Sequence, residues 1–183
     1  MAPSSGGMPI NDFETERLSV RHWSSSLKDD VKRRDLLAAL ENMLTPKILK
    51  ELPPSMQVDD TPTAVSEWVD ARAEESDVYV VSVTPKGDLC GLLILVKELE
   101  SAAVPTIHMG YLFAEQAWGN GYATEVIEGV LQAASDAAPL CFVGGVTKEN
   151  GASAHILRKL GFALQPELST GDTDIFSKTV AAG

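Results

Sequence analysis

The sequence predicts a single α/β domain in which helices flank one mixed sheet. Short apolar strand patterns alternate with amphipathic helix patterns from residue 18 to the C-terminus. No linker rich in Pro, Gly or Ser and no internal repeat divides this region. The 183 residues, of which 44% are hydrophobic and 22% charged, suffice for one sizeable core without disulfide bonds. Residues 1–12 are expected to form a flexible tail, and residues 13–183 the domain.

The composition narrows the classes of function. The chain has 15 Lys and Arg residues against 26 Asp and Glu, which gives a net charge of −11. Binding to nucleic acid or to an anionic membrane is therefore not expected, whereas cationic partners such as amines are favoured. The residues from Met1 to Pro9 contain no apolar signal-peptide segment. We interpret Cys90 and Cys141 as buried thiols of a protein in a reducing, cytoplasmic compartment.

The first part of the chain is predicted to form one strand and two helices. Apolar residues nearly alternate over 18–23, which indicates a strand. Leucines recur at helical spacing within 26–52, and Pro53-Pro54 ends that segment. A second helix is expected to open at Thr61, because proline at residue 62 suits a first helical turn.

The middle of the chain is predicted to form three strands and a long helix. Residues 78–83 and 89–96 are expected to pair as a hairpin around a turn at 85–88. Residues 106–113 form a further strand. Apolar residues within 119–138 then follow the spacing of an amphipathic helix.

The C-terminal part is predicted to form a strand over 140–146 and a helix over 151–160. Asn150 is the expected N-cap of this helix, and Gly161 is the residue that ends it. Two short strands close the chain, over 163–167 and 173–180.

The most informative segment is the loop that contains Gly119 and Gly121 before the long helix. The first N–H groups of a helix lack internal partners, the helix dipole adds positive charge, and glycine permits close approach of a ligand. The loop therefore predicts a site for phosphate or pyrophosphate, although a plain turn is the structural alternative. A P-loop is excluded because no Gly-Lys-Ser/Thr follows. A dinucleotide fingerprint is also excluded, because Thr124 replaces its third glycine.

Four motifs occur in a characteristic order along the chain. They are Thr15-Glu16-Arg17-Leu18; Met109-Gly110-Tyr111 followed by Gln116-x-Trp118-Gly119-Asn120-Gly121-Tyr122-Ala123-Thr124-Glu125; Asn150 with Ser153; and Lys159-Leu160-Gly161-Phe162. In this order and spacing they resemble the GNAT superfamily of acyl-CoA N-acyltransferases. Within it, they resemble the branch of ribosomal-protein-alanine N-acetyltransferases (RimJ/RimL-like). The resemblance covers about residues 13–180.

The resemblance implies the GNAT fold and acetyl-CoA as co-substrate, without a metal. In that fold the sheet is twisted and mostly antiparallel, and the strands at 106–113 and 140–146 splay apart around the thioester. The residues implied to contact acetyl-CoA are Leu112, Phe113, Gln116, Trp118, Gly119, Asn120, Gly121, Tyr122, Ala123, Thr124, Asn150 and Ser153. Many relatives carry Lys or Arg where Asn120 stands, and the cations considered as replacements are Lys148, Arg158 and Lys159.

The catalytic candidates come from the strands around the implied thioester. His108 is the first candidate for the general base, because histidine exchanges protons near neutral pH; the alternative is an ordinary strand histidine. Glu98 and Glu100 could border the same pocket or be solvated charges. Ser153 is implied to hydrogen-bond or protonate the CoA thiolate, and it could instead only cap its helix. The oxyanion donor is expected to be the N–H of Leu112 or a neighbour.

The leading interpretation is an acetyl-CoA-dependent N-acetyltransferase that acts by direct attack of the amine in a ternary complex. The acceptor would be a primary amine, on a small molecule or at a protein N-terminus. The alternative is a non-catalytic acyl-CoA-binding module of the same fold. No metal site is expected, because the three histidines lack ligand spacing. The protein is expected to be a monomer or a homodimer.

Overall fold

An eight-stranded sheet forms the centre of the computed structural model, which describes residues 7–98 and 103–182. The strands follow the order β1-β2-β3-β4-β5-β6-β8-β7 across the sheet. All neighbouring strands are antiparallel except β5 and β6, which are parallel. The predicted mixed α/β sheet is confirmed. The strands are β1 (Phe13–Glu14), β2 (Leu18–His22), β3 (Asp77–Val83), β4 (Asp88–Lys97), β5 (Thr106–Phe113), β6 (Leu140–Thr147), β7 (Ala163–Leu164) and β8 (Thr173–Val180).

Helices connect the strands and lie on the sheet. In the ranges that the structure describes they are α1 (Ser24–Leu27), α2 (Asp30–Met43), α3 (Pro46–Leu49), α4 (Ala64–Glu75), α5 (Tyr122–Ala134) and α6 (Gly151–Lys159). A short 3₁₀ turn, Glu115–Ala117, precedes the glycine loop. None of these helices has the length and apolar character needed to cross a bilayer.

The helical region expected over 26–52 is divided into separate helices, so that expectation is wrong in its continuity. The Asp29 carboxylate accepts two N–H bonds at the start of α2. Thr45 likewise caps α3, whose first residue is Pro46. Each cap satisfies N–H groups that a continuous helix would use internally, so each one starts a new helix.

One further helix begins later than expected, because the helix expected from Thr61 begins with α4, at Ala64. The long helix predicted within 119–138 is α5, which begins at Tyr122, directly after the two glycines of the predicted loop. Gly119 and Gly121 have φ angles of +78° and +79°, which a right-handed helix does not allow, so the helix can begin only after them.

The domain begins before residue 13. Ile10 is only 2% exposed, and its carbonyl accepts a 2.6 Å hydrogen bond from the Tyr79 hydroxyl. The Asp12 carboxylate accepts a hydrogen bond from the N–H of His22. The flexible tail expected over 1–12 is therefore wrong for residues 10–12, and residues 1–6 lie outside the described ranges. The short segment Met8-Pro9-Ile10 has no periodic apolar pattern, so the sequence did not indicate this contact.

The parallel pair opens into a gap. β5 and β6 pair only from Thr106–Cys141 to His108–Val143. Beyond that point β5 stays with β4, and β6 stays with β8, up to their C-terminal ends. The implied splayed strand pair is therefore present at the centre of the sheet. Both cysteines were expected to be buried. Cys90 on β4 is buried, whereas Cys141 on β6 is only half-buried.

Candidate active site

The glycine loop presents six backbone N–H groups at the end of the gap. In the described residues, none of the N–H groups of residues 119–124 has a hydrogen-bond acceptor. The left-handed φ angles of Gly119 and Gly121 turn the chain so that the loop ends at the first turn of α5. The N-terminus of α5, a helix of 13 residues, adds partial positive charge at the loop. The geometry is that of an anion-binding cradle.

Side chains of the loop hold its shape. The Asn120 side-chain amide donates to the carbonyls of Ala117 and Trp118, at 2.8 and 3.3 Å. The Trp118 indole N–H donates to the Phe113 carbonyl at 2.9 Å, while 45% of the residue stays exposed. Gln116 is exposed on the 3₁₀ turn before the loop. The Asn120 side chain is thus occupied within the loop, and its backbone N–H is the group left for a ligand.

Arg17 brings a cation to the cradle from the start of β2. A Cβ placed on Gly121 would lie 3.5 Å from Arg17 Nη2. The guanidinium is 4.9 Å from the centroid of the Tyr122 ring. It is held there by Glu125, whose Oε2 lies 2.8 Å from Arg17 Nε and 2.7 Å from Nη2. Arg17 therefore places a positive charge beside the loop, where Asn120 supplies none.

The cations that the sequence pointed to for this task are engaged elsewhere. Lys148 Nζ lies 3.8 Å from the Asp174 carboxylate of β8. The Arg158 guanidinium lies 5.2 Å from the ring centroid of Phe176, also on β8. Lys159 ends α6, far along the helix from its N-terminus. Arg17 was overlooked because it lies 104 residues before Gly121 in the chain.

Glu125 is the anion that orients Arg17. Thr15 Oγ1 donates to its Oε1 at 2.5 Å, and the N–H of Arg17 donates to the same oxygen at 2.8 Å. Partial burial raises the pKa of Glu125, but these hydrogen bonds and the Arg17 charge outweigh burial and hold the pKa below its usual value. The carboxylate is therefore ionised at neutral pH and keeps Arg17 in place.

A second cation reaches the loop from α3. Lys47 Nζ lies 4.9 Å from the Trp118 ring centroid and 3.5 Å from Glu115 Oε1. Thr45 donates to the other Glu115 oxygen at 2.9 Å. The helical region between β2 and β3 thus contacts Glu115 and Trp118, which directly precede the cradle.

The edge of β5 that borders the gap offers further N–H groups. Ala114 donates its N–H to the Cys90 carbonyl of β4. Since backbone groups alternate in direction along a strand, the N–H of Leu112 also points to β4, and those of Tyr111 and Phe113 point to the gap. Of the N–H groups considered for the oxyanion, Leu112 or a neighbour, that of Leu112 therefore faces β4, and those of Tyr111 and Phe113 face the gap.

His108 stands at the base of the gap, and Glu98 is beside it. His108 pairs with Val143 in the last pair before the strands separate. Its Nε2 lies 3.6 Å from Glu98 Oε2, and both side chains are about half exposed. The structure thus brings together two of the catalytic candidates. Glu100, the other carboxylate considered, lies outside the described residues.

The N-terminus of α6 borders the gap from the β6 side. Asn150 Oδ1 accepts a 3.1 Å hydrogen bond from the N–H of Ser153, so the predicted N-cap is confirmed. The N–H groups of the Asn150 side-chain amide have no acceptor among the described residues. A Cβ on Gly144 of β6 would lie 3.5 Å from the Leu157 side chain. Ser153, one helical turn before Leu157, is on the same face of α6.

Tyr111 is the site residue that sequence reasoning missed. Its hydroxyl is buried and has no hydrogen-bond partner in the described residues. Burial raises the pKa of Tyr111, and the neighbouring Ser153 hydroxyl lowers it in part. Tyr111 and His108 are three residues apart, so they point to opposite faces of β5. In the sequence, Tyr111 stands out only as part of the Met109-Gly110-Tyr111 motif, which gives no sign of a buried free hydroxyl.

These parts suit a long ligand that carries a pyrophosphate, amides and a thioester. The cradle and Arg17 offer N–H groups and positive charge that suit phosphates, and the free edge of β5 offers N–H groups that suit an amide chain. The hydroxyls of Tyr111 and Ser153 lie beside the gap. An imidazole and a carboxylate stand at its base. No cluster of three or more His, Cys, Asp or Glu suited to a metal ion occurs within residues 7–98 and 103–182.

Comparison with known proteins gives a family match over most of the chain. The model of the family described as acetyltransferase (GNAT) domain matches residues 17–163. Among curated proteins, none matches this sequence significantly.

Solved structures share the fold over nearly the whole chain. An acetyltransferase from Agrobacterium tumefaciens is 19% identical, with a TM-score of 0.64, and the match covers 97% of this chain and 99% of that one. RimL, a ribosomal alpha-N-protein acetyltransferase in complex with coenzyme A, is 14% identical with a TM-score of 0.70, covering 94% and 100%. A ribosomal-protein-S5-alanine acetyltransferase from Vibrio fischeri is 16% identical with a TM-score of 0.65, covering 92% and 96%.

Proposed function

The chain belongs to the GNAT acetyltransferase family, and we propose that it transfers an acetyl group from acetyl-CoA to a primary amine. The observation that carries the proposal is the gap between β5 and β6, which ends at six N–H groups without acceptors among the described residues. A backbone cradle of this kind binds pyrophosphate, and a free strand edge pairs with an amide chain. Both groups occur in coenzyme A.

Each wall of the gap has a part in binding the co-substrate. The N–H groups of residues 119–124 bind the pyrophosphate, and Arg17 supplies the charge-assisted contact that Asn120 does not. The N–H of Phe113 pairs with the pantetheine arm from β5. The free amide N–H groups of Asn150 reach the same arm from α6. These contacts would place the thioester near the level of Tyr111 and Ser153.

The chemistry follows from the groups around that level. His108, with Glu98 beside it, takes the proton of the attacking amine, so that a neutral nitrogen attacks. The N–H of Tyr111 points to the gap and holds the carbonyl oxygen as it gains charge. The new C–N bond forms and the C–S bond breaks in one ternary complex. The Ser153 hydroxyl stabilises the departing thiolate.

The acceptor is proposed to be a cationic amine, at a protein N-terminus or on a small molecule. The net charge of −11 favours such a partner. The names of RimL and of the Vibrio fischeri enzyme describe ribosomal proteins as their substrates, which supports including protein N-termini in a test. The free cysteines Cys90 and Cys141 support a cytoplasmic location.

Release of free thiol from acetyl-CoA tests the proposal. The purified protein is supplied with acetyl-CoA and a panel of amines that includes ribosomal-protein N-terminal peptides, polyamines and amino acids. Thiol release that depends on an amine, with a matching mass increase in that amine, supports the transferase. Tight binding of acetyl-CoA without turnover on any amine would instead indicate the binding module. An absence of acetyl-CoA binding would contradict both.

A further inference from the structure

Tyr111 is unusual among the tyrosines because its buried hydroxyl is unpaired within the described residues. A buried polar group without a partner destabilises the folded state, so such groups are uncommon and are concentrated at functional sites. Tyr79 shows the ordinary case, since its hydroxyl donates to the Ile10 carbonyl at 2.6 Å. Both residues carry a phenol hydroxyl. The Tyr79 hydroxyl stabilises the fold, whereas the Tyr111 hydroxyl is available to bond a ligand or a catalytic group.

The placement of Tyr111 directs this hydroxyl to the start of α6. A Cβ on Gly144 would lie 3.5 Å from Leu157 and 3.7 Å from the Met109 carbonyl, so α6 lies over the junction of β5 and β6. Ser153 precedes Leu157 by one turn on the same face, and Tyr111 follows Met109 by two residues on the same face of β5. Ser153 and Tyr111 therefore both lie closer than Leu157 and Met109 to the open end of the gap.

We propose that Tyr111 is a positioning residue that holds the Ser153 hydroxyl in line with the sulfur of the departing thiolate. This rests on the proposed function. In the complex with acetyl-CoA, the Tyr111 phenol donates a hydrogen bond to Ser153 Oγ, which leaves the Ser153 proton to point at the sulfur. As the C–S bond breaks, its electron pair goes to sulfur and the Ser153 O–H stabilises that charge. The proton that the amine lost then returns to the thiolate through solvent, so Ser153 and Tyr111 end unchanged.

The raised pKa of Tyr111 supports this role. Burial raises the pKa above the usual value for tyrosine, and the phenol therefore keeps its proton at neutral pH. A permanently protonated phenol is a constant hydrogen-bond donor. Because Tyr111 and His108 point to opposite faces of β5, Tyr111 does not act on the His108 side, where the amine proton is removed.

Tyr111→Phe separates a functional role from a structural one. It removes only a hydroxyl that has no partner, so the melting temperature should stay the same or rise. The kcat should fall about tenfold, with KM for acetyl-CoA changed less than about threefold, as for an interaction made near the transition state. Tyr79→Phe is the matched control. It removes a paired hydroxyl far from the gap, so it should lower the melting temperature and leave kcat unchanged.

The route through Ser153 is tested by a double variant. Because Tyr111 acts on Ser153, Tyr111→Phe combined with Ser153→Ala should be no slower than Ser153→Ala alone. Losses that simply multiply would overturn this route. A wild-type kcat in Tyr111→Phe, under conditions where the wild type turns over, would overturn the role of Tyr111 altogether.

Binding of coenzyme A gives a readout that does not depend on turnover. The affinity for coenzyme A, relative to that for desulfo-coenzyme A, should increase as the pH rises through the thiol pKa of about 8.5, because the thiolate is then the bound form. Tyr111→Phe should flatten this increase, and an unchanged increase would contradict the proposal. Wild-type protein that binds neither compound would instead overturn the proposed function itself, so the two failures are distinct.

Discussion

Replacing Gly121 by valine should weaken acetyl-CoA binding by disturbing the cradle rather than by removing a contact. Gly121 has a φ angle of +79°, and the nearest atom to an added Cβ would be Arg17 Nη2 at 3.5 Å, an ordinary contact. Space therefore allows the Cβ, whereas the backbone conformation disfavours any L-residue. The left-handed conformation costs an L-residue about 1–2 kcal/mol, and a β-branched side chain tolerates it least.

The expected loss of affinity arises because the free protein can relieve this strain, whereas the complex with acetyl-CoA cannot. In the free protein the loop can rotate its peptides away from the strained conformation, which also turns the N–H groups of residues 119–124 away from the ligand. Binding must then restore the cradle. Restoring about 1–2 kcal/mol of strain corresponds to an increase in Kd of about 5- to 30-fold.

Isothermal titration with acetyl-CoA measures the change, and Gly161→Val is the matched control. Gly161 has a φ angle of +87°, so valine there carries a comparable backbone strain. Gly161 follows α6 and lies beside Lys178. Lys178 pairs with Phe142 near the start of β6, so Gly161 is at the opposite end of the strands from the cradle. Both variants should melt at lower temperature, and only Gly121→Val should bind acetyl-CoA more weakly. Unchanged affinity in Gly121→Val would refute the assignment of the cradle.

Three further outcomes are expected. His108→Ala should lower kcat about 100-fold at saturating amine, with acetyl-CoA affinity unchanged, and Glu98→Gln should have a smaller effect in the same steady-state assay. Asn150→Ala should weaken acetyl-CoA binding in titration and lower stability by about 1 kcal/mol through the lost cap, whereas Ser153→Ala should lower kcat with affinity within a few-fold. Glu125→Gln should be less stable than the wild type in urea unfolding at neutral pH. Because folding lowers the pKa of Glu125, its contribution is present above the usual value of 4.5 and is lost as the pH falls through the folded value, so the two stabilities should converge in acid.

Local signals explain what could be predicted of the fold. The bounds of β5 were predicted correctly, and the cap of α6 by Asn150 was also predicted, because apolar alternation and N-capping are properties of a few consecutive residues. The division of 26–52 was missed although its signals, Asp29 and Thr45-Pro46, are local. Leucine spacing continued across both breaks and concealed them.

The features of the site also divide into those with local sequence signals and those without. The cradle was predicted because two glycines before a helix are contiguous in the chain, and their positive φ angles confirm the expected conformation. The cation beside Gly121 was not predicted, since Arg17 reaches Gly121 only through the pairing of β2 and the position of α5. The backbone N–H groups that face the gap also required the observed pairing of β5 with β4.

The sequence by itself determined the fold class, the family resemblance and the segment that forms the anion cradle, because each depends on residue type and spacing within short segments. Only the tertiary structure decided which distant groups meet: Arg17 with Glu125, His108 with Glu98, and the Tyr111 hydroxyl with the start of α6. Periodicity specifies which face of a strand or helix is buried, but it does not specify the partner on that face. Strand register and helix packing choose the partner, and they depend on the whole chain.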